Sequence, residues 1–261
     1  MRNKLSLYIR KSTSQLRCLP HFLVLGVQKG GTRFLNHLLA QHPDIFLPKK
    51  KELHFFDLDE HYQKGLNWYR SFFPFSVIGA KKLVGEVTPR YIFDTKVPER
   101  CYQVLPQAKF IVLLRDPVDR AYSHYHQSNS KFRLSMSFEE FINKTTIPIE
   151  RDGILEQWES QVLEKGCYHE QIQRWYQWFA PEQFLFLESE ALFQDPFKSL
   201  QMVFDFLELP VIEPKDVTAK NTGNYKEAID PSIRQNLGTY YRQSNQWLLQ
   251  QGFGFSWLQK E

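Results

Sequence analysis

The stretch His21–His37, HFLVLGVQKGGTRFLNH, decides the fold. It starts as an apolar run from Phe22 to Val27, passes through Gln28-Lys29-Gly30-Gly31-Thr32, and resumes with Phe34, Leu35, Leu38 and Leu39 at helical spacing. That pattern predicts a buried strand, a tight loop and a helix. A loop so placed gathers the first unpaired N–H groups of a helix around a small concavity, where the positive end of the helix dipole favours an anion. The glycines let the backbone approach a guest, Lys29 adds a mobile charge and Thr32 a hydroxyl. A phosphate or phosphate-like group is the expected guest. The ATP and GTP loop GxxxxGK[ST] is not met, because Lys29 precedes Gly30 and Gly31. An ordinary strand-to-helix turn with a solvated lysine is the competing reading.

Outward from this stretch, 261 residues suffice for one large domain or two small ones, and a content of 42% hydrophobic and 15% aromatic residues supports a substantial core. The 33 basic and 29 acidic residues leave a formal charge of +4 with no long basic block, so nucleic acid is not an expected partner. Cys18, Cys101 and Cys167 are scattered and odd in number, which indicates free thiols rather than a disulfide framework or a zinc site. The N-terminal MRNKLSLYIRKSTSQLRC is basic and lacks the apolar core of a signal peptide. No apolar run reaches the roughly 18 residues of a membrane span. A cytoplasmic location is therefore expected, although a catalytic fragment cut from a longer protein would look the same. Residues 1–20 are expected to form a loosely packed lead-in and 21–261 the domain.

The helix from Thr32 is expected to run to about Gln41 and to end at His42-Pro43-Asp44. Beyond Ile45–Pro48 lies Lys49-Lys50-Lys51-Glu52-Leu53-His54-Phe55-Phe56-Asp57. In an extended segment Glu52 and His54 point to the same side. A carboxylate among lysines and aromatics could take a proton from a hydroxyl held against it, whereas surface pairing with a neighbouring lysine is the alternative. The lysine triplet reads equally well as a solvated face. Tyr62, Leu66, Tyr69, Phe72 and Phe73 predict one helix closed by Pro74, within which Lys64 and Trp68 are hard to place. Leu83–Tyr91 predicts a short strand leading to a turn at Pro89, Val97–Leu105 a helix, and Lys109–Leu114 a strand buried on both faces of a parallel sheet. That last strand runs into Arg115-Asp116-Pro117, and ligands of open α/β sheets collect at the carboxyl ends of strands. Arg115, by a forked contact, and Ser123 could there hold a second phosphate; a surface pair of Asp116 with Arg115 or Arg120 is the alternative.

Four segments carry a resemblance: Phe22–Thr32, Lys51–Asp57 (KELHFFD), Gly85–Tyr91 (GEVTPRY) and Ile111–Ser123 (IVLLRDPVDRAYS). In order and spacing they resemble the sulfotransferase family, nearest its heparan sulfate 3-O-sulfotransferase and N-sulfotransferase branch. The similarity continues through Gly166-Cys167-Tyr168, Arg174-Trp175, Phe179–Phe184, Phe186–Glu190 and Phe204–Leu207 to Lys220–Tyr225 and Trp257, so it covers residue 20 onward. The resemblance implies a single α/β domain, with a mainly parallel sheet between helices and a P-loop-like phosphosulfate-binding strand-loop-helix. It implies 3′-phosphoadenosine 5′-phosphosulfate as sulfuryl donor, with no metal. By the same resemblance Lys29, Gly30, Gly31, Thr32 and Arg33 cradle the 5′-phosphosulfate, and Lys29 stabilises charge on the bridging oxygen. Arg115 and Ser123 hold the 3′-phosphate, while Lys220, Gly223 and Tyr225 close over the nucleotide. Glu52 is the general base, with His54, Asp57 and Lys64 on the acceptor side.

Three departures accompany the resemblance. Arg33 stands where the family often has Thr or Ser. Val87 occupies the place of a lysine in the "EKSP" segment of heparan-acting members, which argues against a highly anionic polysaccharide acceptor. The paired cysteines near the C-terminus of the secreted animal enzymes are absent, consistent with a cytoplasmic, bacterial enzyme. The implied function is sulfuryl transfer to a hydroxyl, with an amine as the lesser option, of a carbohydrate, lipid or secondary-metabolite acceptor. The rivals are an ATP-using kinase, disfavoured by the missing Walker lysine and the lack of DxD-like metal acids, and a nucleotide-binding module without catalysis.

Overall fold

A computed structural model describes residues 10, 12–79, 81–132, 136–143, 149–151, 154–156, 161–218 and 228–259. Along the chain come β1 (Phe22–Gly26), α1 (Thr32–Leu39), β2 (Ile45–Phe46), α2 (Gly65–Arg70), β3 (Leu83–Val87), α3 (Val97–Val104), β4 (Lys109–Leu114) and α4 (Pro117–Phe132). Then follow α5 (Phe138–Asn143), the short strands β5 (Ile149–Arg151) and β6 (Ile154–Glu156), α6 (Tyr168–Tyr176), β7 (Phe184–Glu188), α7 (Ser189–Gln194), α8 (Pro196–Leu207) and α9 (Pro231–Gln250). The chain divides into two compact units, Met1–Leu114 with Arg174–Lys220, and Arg115–Gln173 with Asn221–Glu261.

The first unit is built on a five-stranded parallel sheet of order β2-β3-β1-β4-β7. Its central strands have no exposed surface from Phe22 to Leu25 or from Phe110 to Leu114, the consequence of apolar side chains on both faces. On one face Phe22, Val24, Ile111, Leu113 and Leu187 pack with Phe34, Leu35 and Leu38 of α1 and with Leu200, Val203 and Phe204 of α8. Burying each such side chain stabilises the fold by about 1.5–3 kcal/mol. On the other face the Phe110 ring meets Trp175 and Phe179 at centroid distances of 5.1 and 4.6 Å. Trp175 is fully buried and its indole N–H donates to the Ile92 carbonyl at 3.2 Å. The expected α/β class is thus the observed one, with the parallel sheet covered on both faces.

Two local differences have physical causes. Helix α1 stops at Leu39, two residues earlier than expected, because the N–H groups of Gln41 and His42 turn back to carbonyls three residues behind and tighten the exit. The single helix expected over Tyr62–Phe75 is replaced by two short ones, Asp59–Tyr62 and α2, parted where Gly65 takes a φ of +77°. Packing also begins ahead of Pro20, since Ser14 and Arg17 are buried and Arg17 donates to the Phe73 carbonyl at 2.7 Å.

The second unit has its own apolar centre, in which Val118, Ala121 and Tyr122 of α4 meet Phe138 and Phe141 of α5 and Leu237 and Tyr241 of α9. Strands β5 and β6 pair antiparallel there.

In the sheet, β1 has β3 on one side and β4 on the other. The chain therefore fills one side first and then crosses to the opposite side, which makes the carboxyl end of β1 a topological switch point, the place where ligands of such sheets bind. Close packing of β1 on β3 requires glycine at position 85. The Phe22 ring lies over Gly85, its cross-strand partner, and a Cβ there would come within 2.2 Å of a ring carbon. Gly85→Ala should destabilise the protein by about 1–3 kcal/mol through overpacking. Urea denaturation of the two proteins measures it, and an unchanged midpoint would contradict the packing described.

Candidate active site

The loop leaving β1 is held from two sides. Val27 N–H donates to the Leu113 carbonyl at 2.9 Å, and the Gly30 carbonyl accepts from the Ser189 hydroxyl at 2.7 Å. A Cβ on Gly30 would sit 2.8 Å from the Leu113 oxygen, so the backbone fills the space of a side chain, while Gly31 caps α1 with a φ of +87°. Thr32 is buried at the helix start and Arg33 is exposed one residue on. The leading amides of α1 emerge at this point without intrahelical acceptors, as at any helix start.

A second loop, Lys51–Asp57, runs beside the end of β3, where Glu52 N–H donates to the Val87 carbonyl at 3.1 Å. Its anchor is Glu86, fully buried in β3. Glu86 Oε1 accepts from the Thr88 hydroxyl at 2.8 Å and the Tyr91 hydroxyl at 2.9 Å, and its Oε2 accepts from Tyr69. The Tyr91 oxygen in turn accepts the Phe55 N–H at 2.9 Å, so one carboxylate holds the loop through a phenol. His61 Nδ1–H, 3.0 Å from both the Leu53 and His54 carbonyls, grips the loop from the other side. Burial pushes the Glu86 carboxyl upward against three hydrogen bonds that favour its ionised form.

Held in this way, the loop is strained where the chemistry is expected. Lys29, Glu52 and His54 have φ values of +73°, +54° and +54°, in the left-handed region that non-glycine residues rarely enter. The extended conformation expected for Glu52–His54 is therefore absent, and the two side chains meet by another route. Asp57, whose side chain is fully covered, accepts His54 Nδ1–H at 2.8 Å, and His54 Nε2 then lies 3.8 Å from Glu52 Oε2. Burial disfavours a charged His54, yet the bond to Asp57 and then the facing Glu52 outweigh it and raise the imidazole to about 9. The facing imidazolium lowers Glu52, against burial, with Lys51 and Arg33 adding to the effect. At neutral pH the pair is an ionised carboxylate beside an imidazolium.

The expected residues fall in different places. Lys29, Gly30, Gly31, Thr32, Arg33, Glu52, His54 and Asp57 all belong to the first unit, and Arg33 is near enough to Lys51 and Glu52 to perturb both. Lys64 is exposed at the start of α2, its ammonium 5.2 Å from the centre of the Trp68 ring. Arg115 and Ser123 belong to the second unit, where the Arg115 carbonyl accepts the Tyr168 hydroxyl at 2.8 Å and Ser123 is buried in α4. Beside them Asp116 pairs with Arg234 at 3.7 Å, and the fully buried Arg120 donates to the Val162 carbonyl. Lys220, Gly223 and Tyr225 lie outside the described residues. Sequence reasoning missed Glu86, Tyr91 and His61 as positioning groups, although a lone carboxylate inside an apolar strand was a signal. It also left Lys51 as a possible solvated lysine, whereas its ammonium nitrogen is buried with no hydrogen-bond partner among the described residues. Among the described residues no group of His, Cys, Asp and Glu is arranged to hold a metal ion.

With an anion-suited loop at the switch point and a carboxylate on the loop beside the neighbouring strand β3, comparison with known proteins decides the family. Residues 19–259 match the family model described as "Sulfotransferase domain". The chain belongs to the sulfotransferase family. This sulfotransferase-family chain is 34% identical to mouse heparan sulfate glucosamine 3-O-sulfotransferase 5 over 193 residues, 74% of this chain and 54% of that protein. It therefore spans about half the length of such curated relatives, and it falls in their heparan sulfate 3-O-sulfotransferase-like branch. The crystal structure of a sulfotransferase from Alicyclobacillus acidocaldarius superposes with a TM-score of 0.70 at 25% identity, covering 88% of this chain and 94% of that one. A third relative corrects the expected cytoplasmic location. It is the membrane-associated sulfotransferase kil1 of Dictyostelium discoideum, 40% identical over 143 residues, 52% of this chain and 30% of that protein. Among the described residues no helix is long and apolar enough to cross a membrane, and that alone assigns no compartment.

Two outcomes test this geometry. The His54 imidazole, followed by NMR, should titrate near 9, and Asp57→Asn should return it toward the ordinary value of about 6.5. Because the folded value is the raised one, the stabilisation from His54 is complete below its unfolded pKa and is lost as pH rises through about 9. Glu86→Ala leaves three buried hydroxyls without an acceptor and should destabilise the fold by about 3 kcal/mol or more. Calorimetry giving a loss under about 1 kcal/mol would show that Glu86 is not the anchor of the loop.

Proposed function

We propose that this protein transfers a sulfuryl group from 3′-phosphoadenosine 5′-phosphosulfate to a hydroxyl of a carbohydrate acceptor. The observation that carries the reading is that one unit holds both the Lys29–Arg33 loop, at the carboxyl end of β1, and Glu52, bonded through its N–H to the end of β3, the strand paired with β1. The residues suit such a donor: the Gly30 backbone leaves no room for a side chain, and the loop offers helix-start amides with Lys29 and Arg33. When bound, the donor supplies an activated sulfuryl group on a phosphate leaving group.

Each residue then has a part. Lys29 and the helix-start amides take up charge that develops on the bridging oxygen. Glu52 receives the proton of the acceptor hydroxyl; its lowered pKa keeps it ionised, and the hydroxyl grows more acidic as its oxygen bonds to sulfur. His54, fixed by Asp57, holds its Nε2 3.8 Å from Glu52 Oε2 and orients that carboxylate on the acceptor side. Arg115 and Ser123 are assigned the 3′-phosphate, with Lys220, Gly223 and Tyr225 over the nucleotide and Lys64 on the acceptor side. A carbohydrate hydroxyl is preferred because relatives such as the mouse enzyme are named glucosamine 3-O-sulfotransferases. Val87 is 3% exposed and packs in the apolar cluster, so position 87 offers no cation to a strongly anionic chain.

Lys29→Ala and Glu52→Ala should each lower turnover by at least about a hundredfold, the scale for removing a positioned catalytic group. Glu52→Ala should still bind the 3′,5′-bisphosphate product, while Arg115→Ala should weaken that binding. Transfer of labelled sulfate to oligosaccharides, with calorimetric titration of the product nucleotide, measures both. Near-wild-type turnover of Glu52→Ala would remove it as the base, and dependence on ATP with no sulfate transferred would overturn the reading.

A further inference from the structure

Lys51 is the cation of the KELHFFD loop whose burial runs against its chemistry. Lys49 and Lys50 beside it are exposed, as a lysine run should be, yet the Lys51 ammonium nitrogen is enclosed without a hydrogen-bond partner among the described residues. An ammonium taken out of water and left unpaired is unfavourable by several kcal/mol and is retained only where something else requires it. The charged groups that act on it come from both sides of the proposed reaction: Glu52 on its own loop, and Arg33 on α1.

From this placement we propose that Lys51 binds the non-bridging oxygens of the sulfuryl group while that group passes from donor to acceptor. The inference rests on the sulfotransferase reading above. Lys51 adjoins Glu52, whose N–H is bonded to the Val87 carbonyl at the end of β3, and β3 pairs with β1, from whose carboxyl end the phosphosulfate loop leaves. The cation is therefore situated for the group exchanged between loop and base, not for either partner alone. In the transfer the acceptor oxygen–sulfur bond forms as the bridging sulfur–oxygen bond breaks. The bridging electron pair leaves on the phosphate, and the acceptor proton goes to Glu52. Charge on the three non-bridging oxygens has to be held throughout, and the Lys51 Nζ–H groups, with no other acceptor among the described residues, are placed to hold it. Arg33, whose charge also acts on Lys51, is a second cation available to the same oxygens.

Burial, opposed by Glu52 and assisted by Arg33, brings the Lys51 ammonium down to about 8. Below that value it is a cation and above it an amine, so binding of the sulfuryl oxygens should weaken as pH rises through about 8.

The experiment compares Lys51→Met and Lys51→Arg with the wild-type chain in turnover, product-nucleotide affinity and thermal stability. Lys51→Met replaces an unpaired buried cation by an apolar chain of similar length. Its melting temperature should stay level or rise while kcat falls by about a hundredfold. Affinity for the 3′,5′-bisphosphate, which carries no sulfuryl group, should stay within about twofold, well below a tenfold energy step. Lys51→Arg should recover much of kcat and lose the decline above pH 8, because arginine stays charged. A Lys51→Met protein that melts lower with unchanged kcat would make the residue structural. Equal loss of bisphosphate affinity and kcat would place it on a phosphate instead, and either result overturns the inference while leaving sulfuryl transfer intact. A wild-type chain that neither binds the donor nor transfers sulfate would overturn the function reading, and the inference with it.

Discussion

Everything in the first unit depends on β1 lying between two parallel neighbours. A strand paired on both sides and covered on both faces has one direction left for its chain, outward from its carboxyl end, and there Val27 N–H is already committed to the Leu113 carbonyl of β4. The following residues must turn at once into α1, which requires backbone shapes that few side chains allow. Gly31 supplies one at φ +87° and Lys29 adopts another at +73°. The proposed anion-binding cup is therefore a consequence of sheet order and not a separate device: the switch in strand direction leaves a crevice at the helix start, where amides lack intrahelical acceptors.

The same logic governs the proposed base, Glu52. A carboxylate can serve near an anionic donor only if it is held, since its own charge is repelled by the guest. Glu86 does the holding from inside the sheet, through Tyr91 to Phe55 N–H, while His61 grips the carbonyl side of the loop. The positive φ values at Glu52 and His54 show where the strain collects once those anchors are fixed. Strain of this kind amounts to roughly 1–3 kcal/mol per residue and persists only where surrounding bonds over-determine it. The Asp57–His54–Glu52 chain then sets the charges, with a covered carboxylate keeping the imidazole protonated and the imidazole keeping Glu52 ionised.

How much of this was legible in the chain depended on the range of the interaction. Continuous apolar runs such as Phe22–Val27 and Lys109–Leu114 marked buried parallel strands, because covering both faces is a local demand on every residue. Gly30-Gly31 after such a run marked the turn. The break at Gly65 was harder, since the spacing of Tyr62, Leu66 and Tyr69 is helical whether or not the helix is continuous. Most opaque were the side chains whose surroundings come from distant segments. Lys51 stands in a run of three lysines that reads as solvated, and nothing in that run marks its ammonium as the buried one. Glu86, seen alone, was one charged letter in an apolar strand, and its three hydroxyl partners are spread from Tyr69 to Tyr91.

Val87 and Lys51 are best understood together. On a strand, neighbouring side chains alternate faces, so with Glu86 committed to its hydroxyl partners, Val87 turns toward Phe22 and Val24 in the apolar cluster. A cation at position 87 would have to leave that cluster to be useful. The Val87 carbonyl, however, accepts the N–H of Glu52, which brings the residue next to Glu52 in sequence alongside the same point of the sheet. Lys51 thus puts a positive charge near the end of β3 from a neighbouring loop, with no charge in the strand itself. A loop-borne cation can be tuned by what flanks it, here Glu52 and Arg33, whereas a strand-borne one is fixed by the pleat. An apolar residue at 87 therefore leaves that face of the strand without a cation, while Lys51 keeps a positive charge beside the strand's end.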